Sequence, residues 1–236
     1  MTTAKVASGV LVTGATSGLG RAVALRFAAA GADVALVGRN EADLERTAAE
    51  VTAHGVRAIP LRVDLALTSS LSDVVDRAIA ELGVIGVLVN AAGTDAPGPA
   101  EDVTLEDWDR VIAVNLTAPF ALARAVMSHM RSEGGGLIVN VSSVAGRRGW
   151  ANASAYCSTK FALTGLAQSL AAEGRADRIR VCVLYPGAMT TNWGTFDPTE
   201  RPEPVEGTAT RSRASTPARW LTSSPDGDSA RAAGAQ

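Results

Sequence analysis

Six short apolar runs, separated by longer segments of helical period, constrain this chain more than any other feature of it. They lie at residues 10–12, 34–37, 59–63, 84–89, 137–141 and 181–184. Their apolar residues fall on successive positions rather than on every second one. That marks strands covered on both faces, as in a parallel sheet between layers of helices. Pro60 has no N–H for a central ladder and sends the third run to an edge or a strand start. Between the runs, Leu19, Val23 and Phe27 recur at helical spacing, and so do Leu163, Leu166 and Leu170. Strand and helix in alternation predict an α/β fold: a doubly wound parallel sheet of Rossmann type in a single domain.

A length of 236 residues suits one such domain with a sizeable core. Apolar residues make up 47% of the chain but aromatics only 4%, so the core is expected to be built from Ala, Val and Leu. A net charge of -2 and a pI near 5.7 give no basic footprint for nucleic acid or an anionic membrane. No run of about 18 apolar residues predicts a membrane span, and residues 1–9 lack the apolar region of a signal peptide. Cys157 and Cys182 form neither a disulfide framework nor a metal-ligand spacing. No metal is expected, and a reducing cytoplasm is.

The composition changes after about Thr195. From there on the large apolar residues are Phe196, Val205, Trp220 and Leu221 only, punctuated by Pro198, Pro202, Pro204, Pro217 and Pro225. Such a segment buries too little to offset its ordering entropy. Residues 1–194 are therefore expected to form the domain, and 195–236 a poorly ordered tail with at most a short helix at 217–221.

The first chemical signal follows the first run: Thr13-Gly14-Ala15-Thr16-Ser17-Gly18-Leu19-Gly20. Glycines allow a tight turn and let backbone approach a pyrophosphate, while the next helix aims its N–H groups and positive dipole end at it. A bare glycine pattern also fits an ordinary strand-to-helix turn. Here its place after an N-terminal strand, opening an amphipathic helix, points to dinucleotide binding.

The second run ends at Gly38 and Arg39. An NAD site usually wants an acid about 20 residues past the glycines, but Asp33 stands at the wrong end of that strand. Arg39 stands at the right end, and a guanidinium there suits a 2′-phosphate. This favours NADP(H) over NAD(H); the alternative is a surface Arg stacked on adenine. Asp64 and Leu65 follow the third run, where Asp64 could accept from the adenine amino group or serve a helix N-terminal turn.

Asn90-Ala91-Ala92-Gly93 follows the fourth run, with small residues against which a cofactor can lie. Ser142 and Ser143 follow the fifth, and Tyr156 with Lys160 comes thirteen residues after Ser143. Tyr and Lys four apart share a helix face, so both can reach one substrate–cofactor pair. A free tyrosine loses its proton near pH 10, and a neighbouring ammonium lowers that value. The phenol can then exchange a proton with a substrate oxygen. Alone, such a pair is as common on plain helix surfaces.

Together these residues resemble the short-chain dehydrogenase/reductase family over residues 4–192. The shared motifs are 13–20, Asp64, Asn90 to Gly93, Asn115, Ser143, Tyr156 with Lys160, and Pro186-Gly187 with Thr191. The resemblance implies Tyr156 as general acid/base and Lys160 lowering its pKa while bonding the nicotinamide ribose. It implies Ser143 orienting the substrate oxygen, with spacing favouring it over Ser142. Asn115 would hold a water linking Lys160 to solvent, or act only as a structural amide. Asn90 would contribute to the cofactor cleft and Thr191 would bond the nicotinamide carboxamide. The implied activity is hydride transfer between NADP(H) and a small-molecule carbonyl or alcohol substrate. Assembly as a homodimer or homotetramer would use the helices at 118–130 and 161–172.

Some residues carry no motif. His54 and His129 are expected in solvent, as are Arg147 and Arg148, though that pair could meet an anionic substrate. Trp150 and Trp193 either line a substrate pocket or pack locally. Two departures from the family stand out. Ala91 replaces the second of two asparagines, and the C-terminal stretch lacks the family's seventh apolar strand. A truncated or frame-altered end would explain the latter and leave the substrate side open. A non-catalytic nucleotide-binding or regulatory protein is thus the competing function. Epimerisation or dehydration on the same fold is disfavoured by the short chain.

Overall fold

The computed structural model describes residues 8–187. Six parallel strands form one sheet within them: β1 (Gly9–Thr13), β2 (Val34–Gly38), β3 (Ala58–Arg62), β4 (Ile85–Asn90), β5 (Gly136–Val141) and β6 (Ile179–Leu184). The connections are the helices α1 (Gly18–Ala29), α2 (Glu41–Thr52), α3 (Leu71–Leu82), α4 (Leu105–Ile112), α5 (Ala118–Ser132) and α6 (Ser154–Gly174). The strand order is β3-β2-β1-β4-β5-β6. It reverses between β1 and β4, which opens a crevice at the carboxyl ends of these two strands. This is the doubly wound α/β sheet that the six apolar runs imply, with each strand within two residues of its run.

Burial grades across the sheet. All five residues of β1 are buried, as are most of β2, β4 and β5. The outermost strands among the described residues, β3 and β6, are only half covered, so the expectation of two buried faces holds for the inner four strands alone. Pro60 lies on the β3 edge beside Leu36, where no outer strand needs its missing N–H. On one face, Leu11, Val37, Leu88 and Ile138 meet Leu71 and Val75 from α3 and Leu122, Val126 and Met130 from α5. Each such side chain contributes about 1.5–3 kcal/mol when fully buried. Ala35, Ala78, Ala118 and Ala123 lie in the same core and let helix and sheet approach closely.

Local chemistry fixes the connections. Asn40 caps α2 by accepting from the Asp43 N–H, and Thr104 caps α4 by accepting from Asp107. A π-helical turn at 113–117 joins α4 to α5. The resulting 28-residue stretch, Leu105–Ser132, is long and apolar enough to cross a membrane by composition, although no run of about 18 apolar residues was expected. Half of its most apolar window is buried within the fold, as befits a core helix.

Two side chains differ from expectation, and a third agrees with it. His129 is half-buried, and its Nε2 accepts the Ile85 N–H at 3.1 Å, tying α5 to the start of β4. Arg147 lies 4.3 Å over the Tyr185 ring, a cation–π contact rather than a purely solvated charge. Asp33 accepts from the Arg57 N–H at 2.8 Å and from its guanidinium at 3.0 and 2.8 Å. That brace sits at the amino ends of β2 and β3, consistent with excluding Asp33 from a cofactor role. Thr191, Trp193, the missing seventh strand and the tail at 195–236 lie outside the described residues.

Candidate active site

The loop leaving β1 is closed against the exit of β4 with no room for side chains. Gly14 takes a φ of +66°, and a Cβ there would come within 2.8 Å of the Ala92 Cα. A Cβ on Gly20 would stand 2.2 Å from the Gly14 carbonyl oxygen. Gly38, at the end of β2, would strike the Thr16 methyl at 2.6 Å in the same way. Ser17 occupies the N-cap of α1, but its hydroxyl makes no capping bond, and the first turn holds no acid. The N–H groups of that turn, at Gly18, Leu19 and Gly20, are thus open to an anion.

Three residues expected to touch a cofactor are turned elsewhere. Thr13 is 1% exposed, and its Oγ1 accepts from the Ala91 and Ala92 N–H groups, both at 3.1 Å. It braces the glycine loop to the exit of β4 rather than facing the cleft. The Leu65 side chain is buried in the main core. Asn90 is 3% exposed and forms a rung across the sheet, its Nδ2 donating to Asn140 Oδ1 at 2.9 Å. Thr13 and Asn90 follow one rule: a polar side chain at a buried strand end bonds inside, and its backbone remains for the crevice.

Asp64 is exposed, and its Oδ1 accepts from the Ala66 N–H at 3.0 Å, the turn role weighed for it. Arg39, Arg62, Val63 and Asp64 line a cavity of about 380 Å³ beyond the carboxyl ends of β2 and β3. Glu41 holds Arg62 at 3.5 Å. Arg39 is exposed and has no ion-pair partner among the described residues.

At the other end of the crevice, α6 brings Tyr156 and Lys160 onto one face. The Lys160 Nζ donates to the Val141 carbonyl at 3.0 Å and lies 5.3 Å from the centre of the Tyr156 ring. Lys160 is 4% exposed. Burial pushes its ammonium down to about 8, while the Asp95 carboxylate pulls the other way. The two serines separate cleanly. Ser142 is buried and donates to the Lys160 carbonyl at 2.9 Å, pinning α6 to β5. Ser143 is half-buried; its Oγ accepts from Ala145 at 3.2 Å, which leaves the hydroxyl proton to donate elsewhere. The Val144 N–H reaches the Pro186 carbonyl at 3.3 Å, so Pro186 and Gly187 run beside Ser143.

Asn115 sits in the π-helical turn with no exposed surface. Its Oδ1 accepts from the Thr94 N–H, and its Nδ2 donates to the Thr94 carbonyl, both at 2.8 Å. The Nδ2 also reaches Thr159 Oγ1 at 3.2 Å, whose hydroxyl donates to the Tyr156 carbonyl at 2.8 Å. These bonds give the side chain a structural role in joining the residue 94 segment to α6. Sequence reasoning passed over Asn140, Thr159, Asp95 and Arg110. Asn140 had a signal: an amide inside the apolar run 137–141 must be bonded or costly.

A family model of short chain dehydrogenases matches residues 8–201. The chain belongs to the short-chain dehydrogenase family. It is 38% identical to D-threitol dehydrogenase of Mycolicibacterium smegmatis over 184 residues, covering 78% of this chain and 71% of that protein. It is 35% identical to 2-dehydro-3-deoxy-D-gluconate 5-dehydrogenase of Escherichia coli, covering 77% and 72%. A candidate NAD(P)-dependent gluconate 5-dehydrogenase from Beutenbergia cavernae, with NADP bound at low occupancy, superposes with a TM-score of 0.74 at 37% identity, covering 78% and 74%.

As a short-chain dehydrogenase the protein is an oxidoreductase of the NAD(P)-dependent kind, and its residues fit a dinucleotide. The glycine loop forms a cradle that any Cβ would fill, and the uncapped start of α1 faces it. This short-chain dehydrogenase also carries a clamp after β4. Arg110 donates to Thr94 Oγ1 at 2.7 Å and to the Asp95 carbonyl at 3.3 Å, while the Gly98 N–H bonds the Asn152 carbonyl at 3.0 Å. Residues 94–98 therefore span from α4 to the loop entering α6. Trp150 packs there against Ala145, Ala153 and Cys157, with Tyr156 alongside.

Proposed function

We propose that this short-chain dehydrogenase moves a hydride between NADP(H) and the carbon of a ketone or secondary alcohol, with Tyr156 exchanging the proton on the substrate oxygen. The carrying observation is the pair on α6: a phenol and a buried ammonium one helical turn apart, the ammonium bonded to the Val141 carbonyl at the end of the strand that leads to Ser143. When bound, the nicotinamide supplies or takes up the hydride. Lys160 stabilises the anionic form of Tyr156 and would bond the nicotinamide ribose. Ser143 donates to the substrate oxygen and orients it. Asn115 and Thr159 hold Tyr156 in place through its backbone.

At the far end, the first turn of α1 holds the pyrophosphate with the backbone of Thr16, Ser17, Gly18, Leu19 and Gly20. Arg39 meets the 2′-phosphate, which favours NADP(H) over NAD(H); the cavity it lines beside Arg62 and Asp64 supports this. Ala91 and Gly93 offer backbone to the ribose side and Pro186 and Gly187 to the nicotinamide, whose carboxamide Thr191 would bond. The relatives named above act on a polyol and a sugar acid, both bearing secondary alcohols, in keeping with this substrate class. Self-association as a homodimer or homotetramer through α5 and α6 belongs to the same reading. Phe120 and Phe161, each 46% exposed, are the large apolar side chains exposed on those helices, and light scattering on the purified protein checks it.

The test is NADPH oxidation with a panel of ketones, with Tyr156→Phe as the decisive variant. Turnover is expected to fall about 10²–10⁴-fold, while NADPH affinity, read by fluorescence quenching, stays unchanged. Undiminished turnover in Tyr156→Phe removes the proton-transfer role.

A further inference from the structure

We propose that Asp95 determines substrate specificity: its free carboxylate oxygen accepts a hydrogen bond from a second hydroxyl of the substrate. The enzyme then selects vicinal diols, polyols and hydroxyketones over simple alcohols and ketones. The inference rests on the hydride-transfer reading above and deepens it.

Asp95 is held in place at both ends. Asn115 bonds both the N–H and the carbonyl of Thr94, and Arg110 bonds the Thr94 hydroxyl and the Asp95 carbonyl. Further along, Gly98 is tied to Asn152, two residues before α6. The residue cannot drift, and it sits between the π-helical turn and the catalytic helix. Through Asn115 its neighbour Thr94 is linked to Thr159, which adjoins Lys160 on α6, so the Asp95 segment borders the catalytic helix, and its charge acts on Lys160.

The carboxylate is half-buried and under-bonded. Oδ1 accepts from the Ala96 N–H at 2.7 Å, while Oδ2 accepts from nothing among the described residues. Buried carboxylates are ordinarily paired. Arg110, the neighbouring guanidinium, is instead engaged by the Asp107 carboxylate at 3.0 Å and by the two backbone and hydroxyl oxygens already named. Burial accordingly raises the Asp95 pKa, with the Ala96 N–H, Arg110 and Lys160 only partly opposing it. A carboxylate kept short of donors beside the reacting groups is an acceptor waiting for a ligand. An anionic substituent would be repelled there. An ammonium would meet Lys160, a like charge in the same cleft. A neutral hydroxyl fits.

The matched probes are butane-2,3-diol and butan-2-ol, oxidised by wild type, Asp95→Ala and Asp95→Asn. Hydrogen bonds to charged groups imply that Asp95→Ala lowers kcat/KM for the diol by roughly 10–100-fold. Butan-2-ol should change by less than about 3-fold. Asn keeps an acceptor oxygen and the Ala96 contact, so Asp95→Asn recovers most of the loss. Calorimetry on the enzyme–NADP⁺ complex should show the diol's affinity falling in Asp95→Ala, with NADP⁺ affinity equal in all three proteins. Because the Asp95 charge also acts on Lys160, each protein is compared on both alcohols at its own pH optimum; equal losses on both alcohols, or no loss on the diol, would each overturn the proposal. Wild type that binds NADP⁺ but oxidises neither alcohol instead overturns hydride transfer itself, and this inference with it.

Discussion

The two ends of the crevice are built on opposite plans. At the catalytic end, Asn115, Thr159, Ser142 and Lys160 are all at most 4% exposed and bonded to one another or to nearby backbone. At the adenosine end, Arg39, Arg62 and Asp64 are exposed, and one long ion pair is the link between side chains there. An unpaired buried polar group costs about 1–3 kcal/mol, so the first set is locked in position. An exposed ion pair contributes about 0–1 kcal/mol, so the second set can be exchanged at little cost to the fold. On the proposed reading, proton transfer, which needs fixed distances, draws on the first set, and discrimination between cofactors, which needs only a charge of the right sign, draws on the second.

The largest expected effect comes from breaking the locked end. Lys160→Met should lower turnover by about 10²–10⁴-fold, measured with NADPH and any accepted ketone. Its stability should behave differently from that of an ordinary core variant. The folded value of Lys160, about 8, lies below its usual 10.5, so between those values the unfolded chain binds more protons than the folded one. Stability from this group therefore rises with pH across about 8 to 10.5 and is flat below. The wild-type slope should be absent in Lys160→Met, as urea titrations at pH 7 and pH 10 would show. Next in size is Asn115→Leu. It leaves the Thr94 N–H and carbonyl without their partner and frees Thr159, at an expected cost of about 2–4 kcal/mol in urea unfolding. A cost near zero would mean that the locked end is not locked.

This division also governs what could be read from the sequence. The six strands were legible because apolar runs and turn glycines are local signals, and the Tyr156–Lys160 pair because helical spacing is. The partners of the buried amides were not. Asn115 bonds Thr94 across 21 positions and Asn90 bonds Asn140 across 50, and no local pattern encodes such pairs. Thr13 looked like a cofactor ligand because its motif is contiguous, yet its hydroxyl turns 78 positions along the chain to Ala91. The Arg57–Asp33 brace, 24 positions apart, was equally hidden, although the exclusion of Asp33 was sound on strand polarity alone. Half-burial of the edge strands follows from sheet order, which apolar runs do not state.

The exchangeable end gives the smaller effects. Arg39→Asp should leave unfolding within about 0.5 kcal/mol of wild type, because the guanidinium is exposed and unpaired among the described residues. It should nonetheless shift the NADPH-to-NADH affinity ratio by roughly 10–100-fold towards NADH, since a charge-assisted contact becomes a repulsion. The smallest expected effect is at Glu41. Its carboxylate holds Arg62 at 3.5 Å, so it competes with any phosphate entering the cavity that Arg62 shares with Arg39. Glu41→Gln removes that competitor and leaves the guanidinium free to turn inward. NADPH should then bind about 2–3-fold tighter while NADH is unchanged, and the difference should shrink in high salt as exposed charges are screened. If both cofactors gain equally, Arg62 is not reading the 2′-phosphate, and selectivity at this end belongs to Arg39 alone.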